Sequence, residues 1–432
     1  MKHGRKKRAV AAAAALAATV GAVSIFFWPH RLEQVASTGA QPQGGALIAR
    51  GRYLATAADC AACHTVPGGR PFAGGVSFKL PFGTIFAPNI TPDRDHGIGA
   101  WSDAEFARAL REGVGRHGED LYPAFPYTSY AKLSTDDVLA IRAFLATLEP
   151  VNASAPSNDL MFPFDQRRLM RAWKLLFFDS KPFTPDVTRS ASWNRGSYLV
   201  NGLAHCGECH TPRNLLFASK TAEPLSGGVV DGWKAWNITP DPDAGVGKWS
   251  DSDLVAYLSS GYASGHGAAS GSMREAVEMS LSRLPRRDIE DMVTYLRTVP
   301  PRRTDAADAV AVASALPRQS VRREPGPGGD GIGKRVFEAA CVSCHAYDGN
   351  GQQSMRASLV GAHALTDPTG DNLVRLLLAG SRSRDDVPAT AMPAFGAAYS
   401  DVEIAAVANY AIAQFGGNSG QVTPNQVATA RN

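Results

Sequence analysis

The 432-residue sequence is poor in charge, with Asp, Glu, Lys and Arg making up 19%, and it carries only six cysteines. Beyond its first eight positions it has no basic stripe and no interleaving of basic with aromatic residues, which excludes a nucleic-acid partner on electrostatic grounds. Lys2, Arg5, Lys6, Lys7 and Arg8 account for the net charge of +4, since without them the 44 basic residues fall to 39 against 40 acidic ones. Strand signals are scarce. No GxGxxG fingerprint lies between a strand and a helix, which removes a dinucleotide-binding domain. After residue 28 no apolar run approaches membrane-spanning length, so a polytopic membrane protein is excluded. A hydrophobic content of 44% excludes general disorder. The chain is too long for one core, and two to four domains are expected.

All six cysteines fall into three pairs. Cys60 and Cys63, Cys206 and Cys209, and Cys341 and Cys344 are each separated by two residues and followed at once by histidine, giving CAACH, CGECH and CVSCH. This is the c-type haem attachment signature, present three times. Two thiols three positions apart lie on one helical face and can add to the two vinyl groups of one porphyrin. The next residue meets the iron, which makes His64, His210 and His345 the expected proximal ligands of three covalent haem c groups. Structural disulfides, a zinc ribbon and thioredoxin-like pairs explain less. Zinc would need two pairs converging on one metal, whereas the pairs lie about 140 residues apart, and redox pairs leave the histidines without a role.

Residues 9–28, AVAAAAALAATVGAVSIFFW, carry no charge and follow the basic segment. The run exceeds the apolar core of a cleaved signal and ends in bulky Phe26, Phe27 and Trp28, so an uncleaved anchor over residues 1–30 is expected, with Val35-Ala36-Ser37 as the alternative cleavage site. The positive-inside rule then keeps the first residues in the cytoplasm and sends the body across the membrane.

The body repeats itself. ARGRYLATAADCAACHT answers to WNRGSYLVNGLAHCGECHT, and NITPDRDHGIGAWSDAEFARAL to NITPDPDAGVGKWSDSDLVAYL; a third copy, GIGKRVFEAACVSCHA, lacks the NITPD segment. The repeats predict domains over 45–150, 191–300 and 326–416, with a packed bridge over 151–190, a linker over 301–325 and a loose polar tail over 417–432. Each reads as helices joined by long Gly/Pro loops. Ser102 with Glu105, Ser134 with Asp137, Ser250 with Asp253 and Ser400 with Glu403 have capping-box spacing. Apolar periodicity marks the last helix of each unit: Val138, Ile141, Leu145 and Leu148; Ile289, Met292, Val293 and Leu296; Ile404, Val407, Ala408 and Ile412.

A haem that only carries electrons commonly has methionine opposite histidine, in a loop before the last helix. Met392, in AMPAF, fits in the third unit. In the second, Met273 follows a Gly/Ser loop and is preferred to Met279, which reads as helical, and to Met292, which lies on a core face. The first unit breaks the pattern: LYPAFPY places Phe125 where methionine is expected. Three readings stay open there, namely an open sixth position, Met161 or Met170 from the bridge, or His96 or His117, whose ordinary place is a solvated loop. His205 reads as a helix start, Trp101 and Trp249 as core residues, and His266 and His363 as surface residues.

These motifs resemble the three-haem cytochrome c subunits of membrane-bound periplasmic dehydrogenases, over residues 45–416. The resemblance implies an all-α fold of three tandem class I cytochrome c-like domains with long Gly/Pro loops, preceded by one N-terminal apolar helix. It also implies an electron-transfer subunit without its own catalytic residues, which accepts electrons from a large catalytic dehydrogenase subunit and passes them to ubiquinone. The alcohol dehydrogenase subunits usually read YPAMPY, so Phe125 and the anchor look more like the subunits of molybdopterin enzymes, aldehyde dehydrogenase above all; quinoprotein and flavoprotein partners are the alternatives. The rival readings are a multihaem peroxidase using an open first haem and a soluble electron carrier.

Overall fold

The computed structural model of the protein describes residues 14, 16, 20, 21, 43–303, 331–352, 354–381 and 391–431. Most of the expected anchor and most of the linker expected at 301–325 lie outside these residues. Among the described residues no helix is long and apolar enough to cross a membrane.

The first repeat comprises α1 (Gly45–Ala57), α2 (Cys60–His64), a hairpin of β1 (Ser77–Leu80) and β2 (Gly83–Phe86), α3 (Asp103–Glu112), α4 (Tyr127–Tyr130) and α5 (Thr135–Leu145). The bridge adds β3 (Asp159–Leu160) to that hairpin, pairing Gly83 with Leu160 and Thr84 with Asp159, and then forms α6 (Leu169–Phe177). The second repeat holds α7 (Ala191–Tyr198), α8 (Gly207–His210), hairpins β4 (Gly228–Val230) with β5 (Trp233–Ala235) and β6 (Tyr262–Ala263) with β7 (Gly267–Ala268), α9 (Asp251–Ser260), α10 (Gly271–Met279) and α11 (Arg286–Leu296). The third holds α12 (Ile332–Ala340), α13 (Val342–His345), α14 (His363–Thr366), α15 (Asp371–Ala379), α16 (Asp401–Ala411) and α17 (Pro424–Arg431). The molecule is mostly helical, as expected, and among the described residues there are three small antiparallel sheets that the sequence did not announce. Strands of two to four residues are too short for alternation to be readable.

In every repeat the first helix crosses the helix of the last periodic segment: α1 on α5, α7 on α11 and α12 on α16. Each crossing is made at a glycine. A side chain at Gly51 would collide with the Ala140 carbonyl, at Gly196 with that of Asp291, and at Gly333 with that of Ala406. The missing Cβ lets the two backbones touch, closer than ordinary side-chain ridges permit. The apolar faces read from periodicity are the buried ones: Val138, Ile289, Ile404, Ala408 and Ile412 are fully buried.

One continuous buried cluster runs through the first two repeats, from Leu54 to Val299, and a second one, from Val336 to Val427, forms the third repeat's core. The bridge packs between the first two repeats. Trp173 joins Tyr127 and Ala218 in a small cluster, and Lys174 donates to the Gly113 carbonyl at 2.6 Å and to Asp120 at 3.0 Å. The C-terminal segment corrects the reading of a loose tail. Helix α17 lies on α16, Val422 and Val427 are buried in the third core, and Arg431 reaches Asp401 at 2.6 Å. Two buried valines, one just before the helix and one within it, are enough to dock a segment whose composition is otherwise polar.

Candidate haem-attachment sites

Each CxxCH motif forms its own short helix or helical turn. Asp59 and His205, with φ of 51° and 38°, turn the chain just before the first two motifs, and α13 follows directly on α12 in the third. The cysteine pairs therefore share a helical face, and none of the six is in a disulfide. Burial pushes the thiols of Cys60, Cys63 and Cys206 up to about 12, and those of Cys209 and Cys341 up to about 11; the charges of Asp59 and Glu275 add to the effect at Cys63. A site that penalises the thiolate in this way suits a neutral thioether.

The histidines carry the clearest sign. His64 Nδ1 lies 2.7 Å from the Pro88 carbonyl oxygen, His210 Nδ1 2.6 Å from that of Trp236, and His345 Nδ1 2.6 Å from that of Ala357. A carbonyl oxygen can only accept, so in all three the proton sits on Nδ1 and Nε2 carries the free lone pair. That is the tautomer and orientation a haem iron requires. Burial also lowers the affinity of all three rings for a second proton, which keeps them neutral. The residues present fit a covalently attached haem at each motif.

Met392 packs against the third core and its backbone pairs in both directions with Ser381, at 2.9 and 3.1 Å. Met273 and Met279 both lie on α10, so the loop-versus-helix distinction drawn between them does not hold. Facing does separate them: Met273 packs against the shared core, and Met279 closes the helix. Arg274, the neighbour of Met273, donates to Glu278 and to the Ser381 hydroxyl, joining the two methionine-bearing segments. In the first repeat Phe125 packs edge-on against Tyr127 and Tyr130, with ring centroids at 6.4 and 5.7 Å. Met170 belongs to the same small cluster, whereas Met161, His96 and His117 are exposed.

Two histidines read as surface residues are not. His363 presents its ring edge-on to Trp236 at 4.2 Å, and burial pushes its imidazole down to about 4. His266 stacks on Trp249 at 3.7 Å, so Trp249 is a core residue as expected but with a histidine on its face. Contacts between repeats, invisible to a reading made one motif at a time, account for the first; a contact between distant loops of one repeat accounts for the second. His205 does begin an attachment turn, and its ring also meets Tyr130 of the first repeat at 5.7 Å.

Sequence reasoning missed the residues that bring the first two motifs together. Glu208, between Cys206 and Cys209, accepts from the Thr128 hydroxyl at 2.5 Å, the Ser129 hydroxyl at 3.0 Å and Arg213 at 2.8 Å. Burial alone would lift its carboxyl, but the Arg213 guanidinium and the Thr128 hydroxyl hold it below the usual carboxylate range. In return α10 of the second repeat packs on α2 of the first. The only available signal was a carboxylate inside an attachment motif, where the other two motifs have Ala62 and Ser343.

Comparison with known proteins agrees with this geometry. The cytochrome c family model matches residues 48–149, and that of cytochrome C oxidase, cbb3-type, subunit III matches residues 331–410. The fructose dehydrogenase cytochrome subunit of Gluconobacter japonicus is 40% identical over 89% of this chain and 82% of its own length. The gluconate 2-dehydrogenase cytochrome c subunit of Pantoea cypripedii is 37% identical over 89% of this chain and 90% of its own. A nicotinate dehydrogenase subunit of Pseudomonas putida is 40% identical over 89% of this chain, which spans only 31% of that longer protein. The chain carries covalently bound haem c and belongs to the family of cytochrome c subunits of membrane dehydrogenases, whose work is electron transfer for a catalytic partner.

Proposed function

We propose that the chain holds three haem c groups, one per repeat, and relays electrons from a large catalytic dehydrogenase subunit to ubiquinone at the periplasmic face of the inner membrane, tethered by residues 9–28. The observation that carries this reading is the threefold recurrence of a CxxCH helix whose histidine donates Nδ1–H to a backbone carbonyl. Bound haem supplies a one-electron carrier that cycles between ferric and ferrous iron. The chain's residues do the rest. Cys60 and Cys63, Cys206 and Cys209, and Cys341 and Cys344 provide the thioether links, and His64, His210 and His345 the proximal nitrogens. Met273 and Met392 would hold the iron in the second and third repeats through a soft thioether, which favours the reduced state. The two buried clusters pack against the attachment motifs at Cys60, Cys206 and Cys341.

Phe125 and the N-terminal apolar run support a catalytic partner of the molybdopterin class, oxidising an aldehyde or alcohol, ahead of a quinoprotein or flavoprotein. Extraction of the mature complex in detergent tests the whole reading. Pyridine haemochrome titration is expected to return three haems per chain, with a large copurifying subunit whose cofactor identifies the reaction. Fewer than three haems after proper maturation would reject the threefold assignment, and recovery without detergent as a solitary carrier would reject the tethered complex.

A further inference from the structure

We infer that Glu208 is a positioning residue that locks the second attachment helix onto the first repeat and thereby sets the separation of the first two haem sites. This rests on the attachment sites assigned above. Of the three motifs, only CGECH carries a carboxylate at this position, and its carboxylate faces another repeat. The Glu208 side chain is 15% exposed, and a carboxylate so far out of water is unfavourable unless its lone pairs are filled. They are filled from two directions. Arg213, on the same repeat, donates to both the carboxylate and the backbone carbonyl of Glu208, at 2.8 and 2.9 Å. Thr128 and Ser129 donate from α4, some 80 positions earlier in the chain. That helix begins two residues after Phe125, the residue that stands where the first repeat was expected to carry methionine.

The contact is reciprocal in shape but not in chemistry. On the other flank α10 lies along α2, and the Ser280 hydroxyl reaches the Ala57 carbonyl at 3.5 Å. The matching position of the first motif is Ala62, which is buried and has no polar group to offer. The shared apolar cluster lets the two repeats adhere, but apolar packing is non-directional; hydrogen bonds fix register, from Tyr198 to Asp137 and from Tyr53 to Asp288 between the long helices and at Glu208 between the attachment motifs. Register matters because electron tunnelling falls exponentially with distance.

The test uses the matured full-length protein and its Soret circular dichroism, in which two nearby haems give a bisignate couplet whose size falls steeply with separation. The wild type is expected to show a couplet. The double variant Thr128→Val with Ser129→Ala removes only the hydroxyls and is expected to lose at least half of the amplitude while retaining three haems. Glu208→Ala should behave alike, and the triple variant should add little further loss, as groups acting through one contact do. Glu208→Gln, whose amide oxygen still accepts from the hydroxyls, should keep most of the couplet. Should Glu208→Ala fail to mature, the hydroxyl variant decides alone. An unchanged couplet in that variant with full haem content, or no couplet in the wild type, overturns the inference. Loss of the first or second haem from the wild type itself would instead sink the attachment assignment, and haem content measured on the same samples tells the two failures apart.

Discussion

Asn89 and Asn237 show what the doubled NITPD segments are for. The Asn89 amide donates to the Val151 and Ala153 carbonyls at 2.7 and 3.0 Å, while its oxygen accepts from the backbone and hydroxyl of Thr91. Asn237 repeats this with Arg302 and Thr239. Asp93 and Asp241 then accept from backbone N–H groups two and three residues on. The segment is a staple that ties the loop to the chain leaving each repeat. The motif was legible as a repeat, but its role was not, because the partners lie about 60 positions away. Asn89→Ala strands buried carbonyls and is expected to cost about 1–3 kcal/mol in urea unfolding while leaving the haem spectrum unchanged. A change in ligation without loss of stability would show that the staple acts on the haem site itself.

Helix starts were the most readable elements. Three of the four predicted capping boxes are complete, at Ser102, Ser250 and Ser400. The fourth is half made: Ser134 accepts from the Asp137 N–H, but the Asp137 carboxylate takes Arg50 at 2.5 Å and the Tyr198 hydroxyl at 2.6 Å instead. Tyr198 belongs to the second repeat, so an inter-repeat contact has outcompeted a local one. At α16, the side-chain and backbone donors of Ser400 hold the Glu403 carboxyl below its usual range. A depressed carboxylate stabilises the fold above its unfolded value of about 4.3, and that contribution is lost as pH falls through the folded value. Ser400→Ala is expected to lower the melting temperature by a few degrees at pH 7. The gap to wild type should narrow as the pH falls below 4. A gap that persists in acid would mean that the carboxylate has no part in the cap.

At the scale of the molecule, the third repeat is held to the second by directional contacts. Lys234 and Asn372 exchange two hydrogen bonds, at 2.8 and 2.9 Å, Arg356 donates to the Ser260 carbonyl at 2.5 Å, and Trp236 meets His363. The Trp236 carbonyl also accepts from His210, which places this seam directly behind the second attachment site. Burial is the main cause of the low His363 affinity for a proton, with His266 and Lys234 assisting and Asp367 opposing. The unfolded chain binds a proton at about 6.5 and the folded one does not, so stability from this group is complete above that value and is lost as pH falls toward 4. Wild type should lose about 1 kcal/mol per pH unit relative to His363→Gln across that window, read by urea unfolding. Parallel pH profiles for the two proteins would contradict a buried neutral ring.

The sequence by itself determined the haem chemistry, the repeats, the helix starts and the core faces, because each depends on residues a few positions apart in one segment. Thiol spacing, capping and helical periodicity are local and survive being read in isolation. Only the tertiary structure decided that two repeats share one core, that His266 and His363 are covered, that the polar C-terminus docks through Val422 and Val427, and that Glu208 meets Thr128 and Ser129. Those facts arise where distant surfaces meet, and which polar residue will find a partner there depends on geometry that no single segment encodes.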